Sequence, residues 1–284
     1  MQSLLFACAA GALLMTVAFI AVLTIEAAGF FAGVPGADAL VSGRWRPVEG
    51  DGWSLGVPLS GTLLVTLIAG LVALPLGVLV ALFIDHYAPP SLRRILGPTI
   101  DVLATIPTVV YGYFALVVLT PALQRAIPGL PAFNALSASL VIGLMILPTV
   151  VLGTRLSLRR VPMSLQLAAN ALGATRREML TGVLMPAARP GMIAAALFAL
   201  VRAAGETMAV TIAAGSLERT SFDLLGPVTT LSSALAQVGL SAQLQGSLAD
   251  HAMFAVALLL FVISAVLGVF GYCMELRERR AVVR

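Results

Sequence analysis

The chain has 284 residues, 60% of them hydrophobic and only 11% charged, with a formal net charge of +4 and a mean hydropathy of +1.02. Soluble domains hold about 45–50% apolar and about 25% charged residues, so a soluble enzyme is excluded and apolar runs able to cross about 30 Å of hydrocarbon are expected. All 17 basic residues are arginine, which removes Walker A and Schiff-base lysines, and so small a net charge without an aromatic-basic patch points away from nucleic acid.

A first span is predicted over residues 1–28, uncharged through Ile25. It lacks the positive n-region of a cleaved signal peptide and is expected to stay as a helix. Residues 29–56 place Asp38, Arg44, Trp45, Arg46, Pro47, Glu49, Asp51 and Trp53 among glycines and prolines, the chemistry of an aqueous loop. A second span over 57–84 is closed by Asp85, His86, Tyr87, Pro89 and Pro90, and the loop 85–97 carries Arg93 and Arg94. A third span over 98–123 contains Pro107 and Pro121, the loop 124–135 turns at Pro128 and Pro131, and a fourth span over 136–158 contains Pro148. Prolines inside spans kink them and release carbonyls that need partners. The loop 159–189 is the most basic region; a fifth span over 190–216 holds Arg202 and Glu206, a polar loop covers 217–250, a sixth span covers 251–274, and 275–284 is a charged tail.

Six spans leave both termini on one side, where twelve arginines fall against four opposite, with Arg202 inside the membrane. The positive-inside rule then makes the termini cytoplasmic and the loops 29–56, 124–135 and 217–250 external. Cys8 and Cys273 lie in the first and last apolar segments and there are only two histidines, so neither a disulfide framework nor a metal site is expected.

Arg202 and Glu206 sit four residues apart, on one face of a continuous helix. A charge at the bilayer centre costs about 2.5–3.5 kcal/mol, so such residues face a bundle interior and mark a pathway. Their stripe runs Ala195, Ala199, Arg202, Glu206, Ala209, Ala213, with bulky Leu197, Val201, Met208 and Ile212 opposite. Small residues there permit close helix approach or leave room for a substrate. Two functions stay open: an ion pair that pins helices, or a guanidinium fork that recognises a tetrahedral oxyanion. In the second, Glu206 holds Arg202 or accepts a hydrogen bond from a protonated substrate oxygen, which phosphate near neutral pH offers and sulfate does not.

Residues 167–186, LAANALGATRREMLTGVLMP, keep the spacing E-A-A, three residues, G, nine residues, I-x-L-P through Ala168, Ala169, Gly173, Val183, Met185 and Pro186. Leu165, Ala168, Leu172 and Thr175 are expected on one helical face, and Gly173 allows a sharp turn before a second short helix. Such a helix can dock into a groove on a partner. The segment resembles the EAA loop of bacterial ABC importer permeases, which implies that it is the coupling helix and that the partner is the ATP-hydrolysing subunit. Leu167 stands where that family has Glu, so the contact that carboxylate makes with the ATPase is either absent here or supplied by another residue such as Glu178.

The string RAAGETMAVTIAAGS at 202–216 resembles the PstC-type permeases of the bacterial high-affinity phosphate ABC importer, and so do WRPVEG at 45–50, SGTLLVT at 60–66, ATIPTVVYGYFAL at 104–116, ILPTV at 146–150 and TLSSALA at 230–236. Sulfate and molybdate permeases follow the Glu with Phe-Gly-Ala and the sister phosphate permease carries Ala-Pro, so Thr207, Met208 and Ala209 favour the PstC type. The resemblance implies an all-α integral membrane protein of six transmembrane helices, with the type I ABC importer permease fold over 57–274, multi-pass in the lipid of the inner membrane. Its implied partners are a PstA-type sister permease, two ATP-binding cassette subunits and a periplasmic phosphate-binding protein. ATP and Mg would sit on the ATPase, with no cofactor on this chain, which is then no enzyme itself. Arg202 and Glu206 would be the charges needed for transport, with Thr207 beside them and with Pro107, Thr108, Tyr111 and Gly112 lining the path opposite. Importers of sulfate, molybdate or phosphonate are the alternative. A secondary transporter would need several intramembrane carboxylates or inverted repeats, which are not read here. Gln237 after TLSSALA, where the family shows Asn-Glu, and the short 27–56 segment depart from the pattern.

Overall fold

Backbone groups in hydrocarbon must satisfy one another, which confines an open chain to helices. The computed structural model describes residues 1–34, 43–46, 52–239 and 248–283, with side chains to residue 277. The sequence expectations at Asp38, Pro47, Glu49, Asp51 and within 240–247 lie outside the described residues, as do the side chains of the arginines after Arg277. Six of the described helices are long and apolar enough to cross a membrane: α1 (Gln2–Gly33), α2 (Gly56–Tyr87), α4 (Thr108–Ala126), α5 (Ala135–Arg160), α7 (Arg176–Ala204) and the Leu248–Arg277 part of α10 (Leu248–Val283). Between them stand β1 (Trp45–Arg46), β2 (Gly52–Trp53), α3 (Pro90–Thr105), α6 (Met163–Ala171), α8 (Met208–Ala213) and α9 (Leu231–Gly239).

Contacts divide the chain into two units. The first comprises Met1–Thr62, Ser216–Phe222 and Val228–Val262. Here α1 buries only Leu23, Ala27 and Phe30, and Phe30 meets Trp53 edge to face at 6.3 Å. Trp53 belongs to an antiparallel ribbon in which Trp45 faces Trp53 and Arg46 faces Gly52; the sequence had been read there as loop alone. Trp45 N–H donates to the Glu218 carbonyl at 2.8 Å and Arg46 pairs with the Glu218 carboxylate. A Cβ on Gly29 would stand 2.8 Å from His251 Nδ1, so the glycine makes room for the imidazole, which meets the Glu26 carbonyl at 3.1 Å. Thr230 and Ser233 cap α9 reciprocally, Ser233 N–H on Thr230 Oγ1 at 3.2 Å and Thr230 N–H on Ser233 Oγ at 2.9 Å.

The second unit comprises Leu63–Gly215, Asp223–Pro227 and Ile263–Arg284, and α5 is its most buried element. Asn134 caps α5 through Ser137 N–H at 2.8 Å. Helices approach it through small residues: a Cβ on Gly153 would lie 2.4 Å from Ala195 Cβ, and one on Gly77 2.6 Å from Val150. Close approach of this kind is how apolar helices associate where lipid is as apolar as they are.

Two expected spans differ in their bounds. The 98–123 segment is two helices, because Pro107 lacks a backbone donor and holds Ile106 extended at φ −64°, ψ 128°; the crossing helix is α4. The 190–216 segment begins fourteen residues earlier, at Arg176, and stops at Ala204. π-helical turns at Phe83–Tyr87, Ala115–Leu119 and Met179–Leu184 each end two residues before a proline, at Pro89, Pro121 and Pro186. The wider turn relieves the clash of each proline ring with the preceding turn.

Gly61 is the tightest such contact, since a Cβ there would stand 2.1 Å from the Thr229 carbonyl oxygen, a backbone atom that cannot step aside. Gly61→Ala is expected to destabilise the chain by at least about 1–3 kcal/mol, read as a lower melting temperature in detergent. Gly97→Ala, with nothing within 4 Å of its Cβ, is expected to leave that temperature unchanged or raised.

Candidate functional site: two helix breaks and a basic two-helix loop

Small residues along α7 bury Gly191, Ala194, Ala195, Ala199, Ala203 and Ala204. The helix then stops: Gly205 N–H closes on the Val201 carbonyl at 3.1 Å, Glu206 N–H on Ala203 at 3.2 Å, and α8 starts at Met208. Glu206, 8% exposed, accepts the Ala209 N–H at 3.2 Å and so satisfies a free donor of α8. Arg202 is exposed, and its guanidinium is in electrostatic reach of the Tyr111 phenol. The expectation that Arg202 and Glu206 share one helical face is corrected: the helix of Arg202 ends before Glu206, whose carboxylate turns to the next helix. Thr207 lies in the break, half-buried, with its hydroxyl on the Gly205 carbonyl at 3.4 Å and its own carbonyl accepting from Thr211 Oγ1 at 2.7 Å.

The second break adjoins the first. A Cβ on Gly112 of α4 would stand 3.0 Å from Ala209 Cα of α8, so these two helices approach backbone to backbone. Tyr111, buried, donates its hydroxyl to the Leu103 carbonyl at 2.8 Å and thereby caps the end of α3 across the Ile106–Pro107 break. Thr108 opens α4 half-buried. Arg202, Glu206, Thr207, Tyr111 and Gly112 thus lie at two adjoining helix breaks, an arrangement that frees backbone and polar groups. Tyr111 spends its hydroxyl on the fold, whereas the sequence expectation had it facing the path.

The basic loop is built as two helices. After α6, Gly173 takes φ +78° and Ala174 N–H returns to the Ala169 carbonyl at 3.1 Å; the positive φ is why glycine stands here. Thr175 then opens α7 with a capping box, its N–H on Glu178 Oε2 at 2.8 Å and its hydroxyl on the same oxygen at 2.7 Å. Glu178, exposed, is therefore also the capping residue of this loop. Ala169 packs with Leu158, Val161, Met179, Leu180, Leu184 and Ala188, with Val183 against them. Ala168 and Pro186 are exposed and Met185 is half-buried. Leu165, Ala168, Leu172 and Thr175 of the expected face are all exposed, as are Met163 and Leu167, with Leu172 at 88%, and an exposed apolar surface of this kind marks a partner site. The helix ends before Leu172, and Ala169 is the residue of α6 that faces inward.

Sequence reasoning passed over Asp85 as a mere end of span. Its carboxylate, 6% exposed, accepts from Arg93 Nη2 at 2.9 Å, Arg155 Nη2 at 3.0 Å and Arg159 Nη2 at 3.2 Å. Arg155 and Arg159, four apart on α5, were the available signal; the position of their partner, seventy residues away, was not.

Thr175→Ala removes the capping box and is expected to cost about 1 kcal/mol, measured as a lower melting temperature. The loss should be larger than for Thr181→Ala, whose hydroxyl bonds only the Arg177 carbonyl one turn earlier in the same helix.

Residues 73–280 match the family described as binding-protein-dependent transport system inner membrane component. The phosphate transport system permease protein PstC of Mesorhizobium japonicum is 34% identical over 261 residues, covering 85% of this chain and 79% of that protein. PstC of Haemophilus influenzae is 32% identical over 258 residues, 84% of this chain and 81% of the relative. A probable PstC of Methanocaldococcus jannaschii is 31% identical over 288 residues, covering 92% and 91%. Among solved structures, the inward-facing MetNI methionine ABC transporter aligns with a TM-score of 0.58 at 20% identity, over 78% of this chain and 93% of that one, a likeness of fold. The chain belongs to the binding-protein-dependent transport system inner membrane components, a family of integral membrane permeases.

Proposed function

We propose that this chain is the PstC-type permease subunit of an ATP-driven importer that moves inorganic phosphate from the periplasm to the cytoplasm. The observation that carries it is identity of 31–34% to PstC permeases across most of the chain, joined to an arginine and a glutamate at the break of one span. Arg202 stays charged at membrane depth and offers paired donors that match a tetrahedral oxyanion. Glu206, held by the Ala209 N–H, keeps an acceptor charge beside it for the proton that phosphate carries. Alternating access at the interrupted helices would expose that point to either side in turn.

The exposed apolar face of α6 and the turn at Gly173 fit docking to an ATPase subunit, and ATP and Mg would bind there and not on this chain, which has no lysine for a Walker A motif. A PstA-type sister permease, two ATPase subunits and a periplasmic phosphate-binding protein complete the assembly in this reading. The arginine asymmetry supports cytoplasmic termini in this reading.

Labelled-phosphate uptake at micromolar concentration, in cells lacking their own PstC-type permease and supplied with this chain and its partners, tests the proposal. Uptake is expected to need this chain and to ignore excess sulfate. Arg202→Gln is expected to lower it tenfold to a hundredfold, the equivalent of about 1.5–3 kcal/mol for a bond to a charged group, while the ATPase still co-purifies. Competition by sulfate would move the assignment to another oxyanion, and normal uptake by the variant would remove Arg202 from the pathway.

A further inference from the structure

The π turn Phe83–Tyr87 that closes α2 takes four arginines on three consecutive residues. Asp85 Oδ1 receives Arg93 of α3 and Arg155 and Arg159 of α5, and Arg155 Nε adds contacts of 3.2 Å to Oδ1 and 3.1 Å to Oδ2. The His86 carbonyl accepts Arg176 Nη1, and the same guanidinium lies 5.9 Å from the centre of the Tyr87 ring. Arg176 is the first residue of α7, directly after the capping box of the coupling segment. A carboxylate has about four acceptor positions, so three guanidinium groups nearly saturate Asp85. Isolated exposed ion pairs stabilise little; here they converge on one buried carboxylate, and losing it would leave three cations crowded together.

We infer that this turn fastens the coupling segment to the transmembrane bundle, with Asp85 as its positioning residue, so that the segment, the end of α2 and the start of α3 move as one body. Arg176 supplies the link from the coupling side, through the carbonyl and ring of the two residues that follow Asp85. Asp85 supplies the link to α3 and α5. The inference rests on residues 163–186 being the ATPase-coupling loop, and it adds where the movement of that loop enters the bundle.

The test uses the assembled importer in lipid nanodiscs, with nitroxide labels replacing Ile95 on α3 and Asn170 on α6, both exposed. The native chain is expected to give one narrow distance distribution that ATP neither shifts nor widens. Asp85→Asn and Arg176→Gln are each expected to broaden it, and Asp85→Glu, which keeps the charge, to restore it in part. Transport per ATP hydrolysed should fall at least about fivefold in both disrupted variants, the lower end of a coupling free energy, with assembly retained. Arg176→Gln leaves the buried carboxylate intact, so it reports even where Asp85→Asn fails to fold. A distribution that stays narrow in Arg176→Gln overturns the inference, as does a melting temperature that falls while transport per ATP does not. The label distance does not depend on the substrate, so absence of phosphate uptake by the native importer would strike the functional proposal and leave this one standing or falling by the distance alone.

Discussion

The demand that every backbone group in hydrocarbon find a partner within the protein organises this molecule, and it is felt most where two helices stop, at Ile106–Pro107 and at Gly205–Thr207. Each stop leaves carbonyls and N–H groups that the helix itself does not pair. At Ile106–Pro107 the Tyr111 hydroxyl takes up the Leu103 carbonyl, and at Gly205–Thr207 the Glu206 carboxylate takes up the Ala209 N–H. A buried carboxylate is costly unless bonded, and the start of α8 supplies the bond. The breaks and the polar residues therefore require each other: without the side chains the helices would have to run on, and without the breaks the side chains would be buried without partners.

Prolines and glycines divide the remaining work. The prolines set where helices widen or stop, with a π turn ahead of Pro89, Pro121 and Pro186, so curvature is written locally along each span. The glycines set how near two helices lie, as at Gly153 on Ala195 and Gly112 on Ala209. Side chains larger than hydrogen at those points would separate α5 from α7 or α4 from α8, and the two breaks would no longer adjoin.

Much of this was legible in the residues. Uncharged runs and flanking arginines mark six spans because transfer into lipid is decided residue by residue, without reference to distant partners. The coupling segment was legible through Gly173, whose positive φ admits little else. What was misread depended on continuity or distance. The i, i+4 argument for Arg202 and Glu206 assumed a helix that Gly205 ends, and the bond of Tyr111 to Leu103 crosses a break that spacing does not reveal. The β1–β2 ribbon, two residues a side, has no periodicity to detect. Asp85 escaped because its partners come from α3 and α5, and no local pattern announces a carboxylate shared by three arginines.

Helix α7 joins the two functional regions without an intervening loop. It begins at Arg176, whose guanidinium lies on the turn behind Asp85, and it carries Arg202 in its last turn before the break. At a rise of 1.5 Å per residue its 29 residues make a rod of about 40 Å, the order of a whole bilayer. One hydrogen-bonded helix thus runs from the turn after Gly173 to the break at Gly205, with its small residues against α5. Beyond the break, α8 is seated on α4 through Ala209 and Gly112. Arg202 and Glu206 therefore stand on the two sides of that break, the arginine carried by α7 and the glutamate bonded to the first turn of α8.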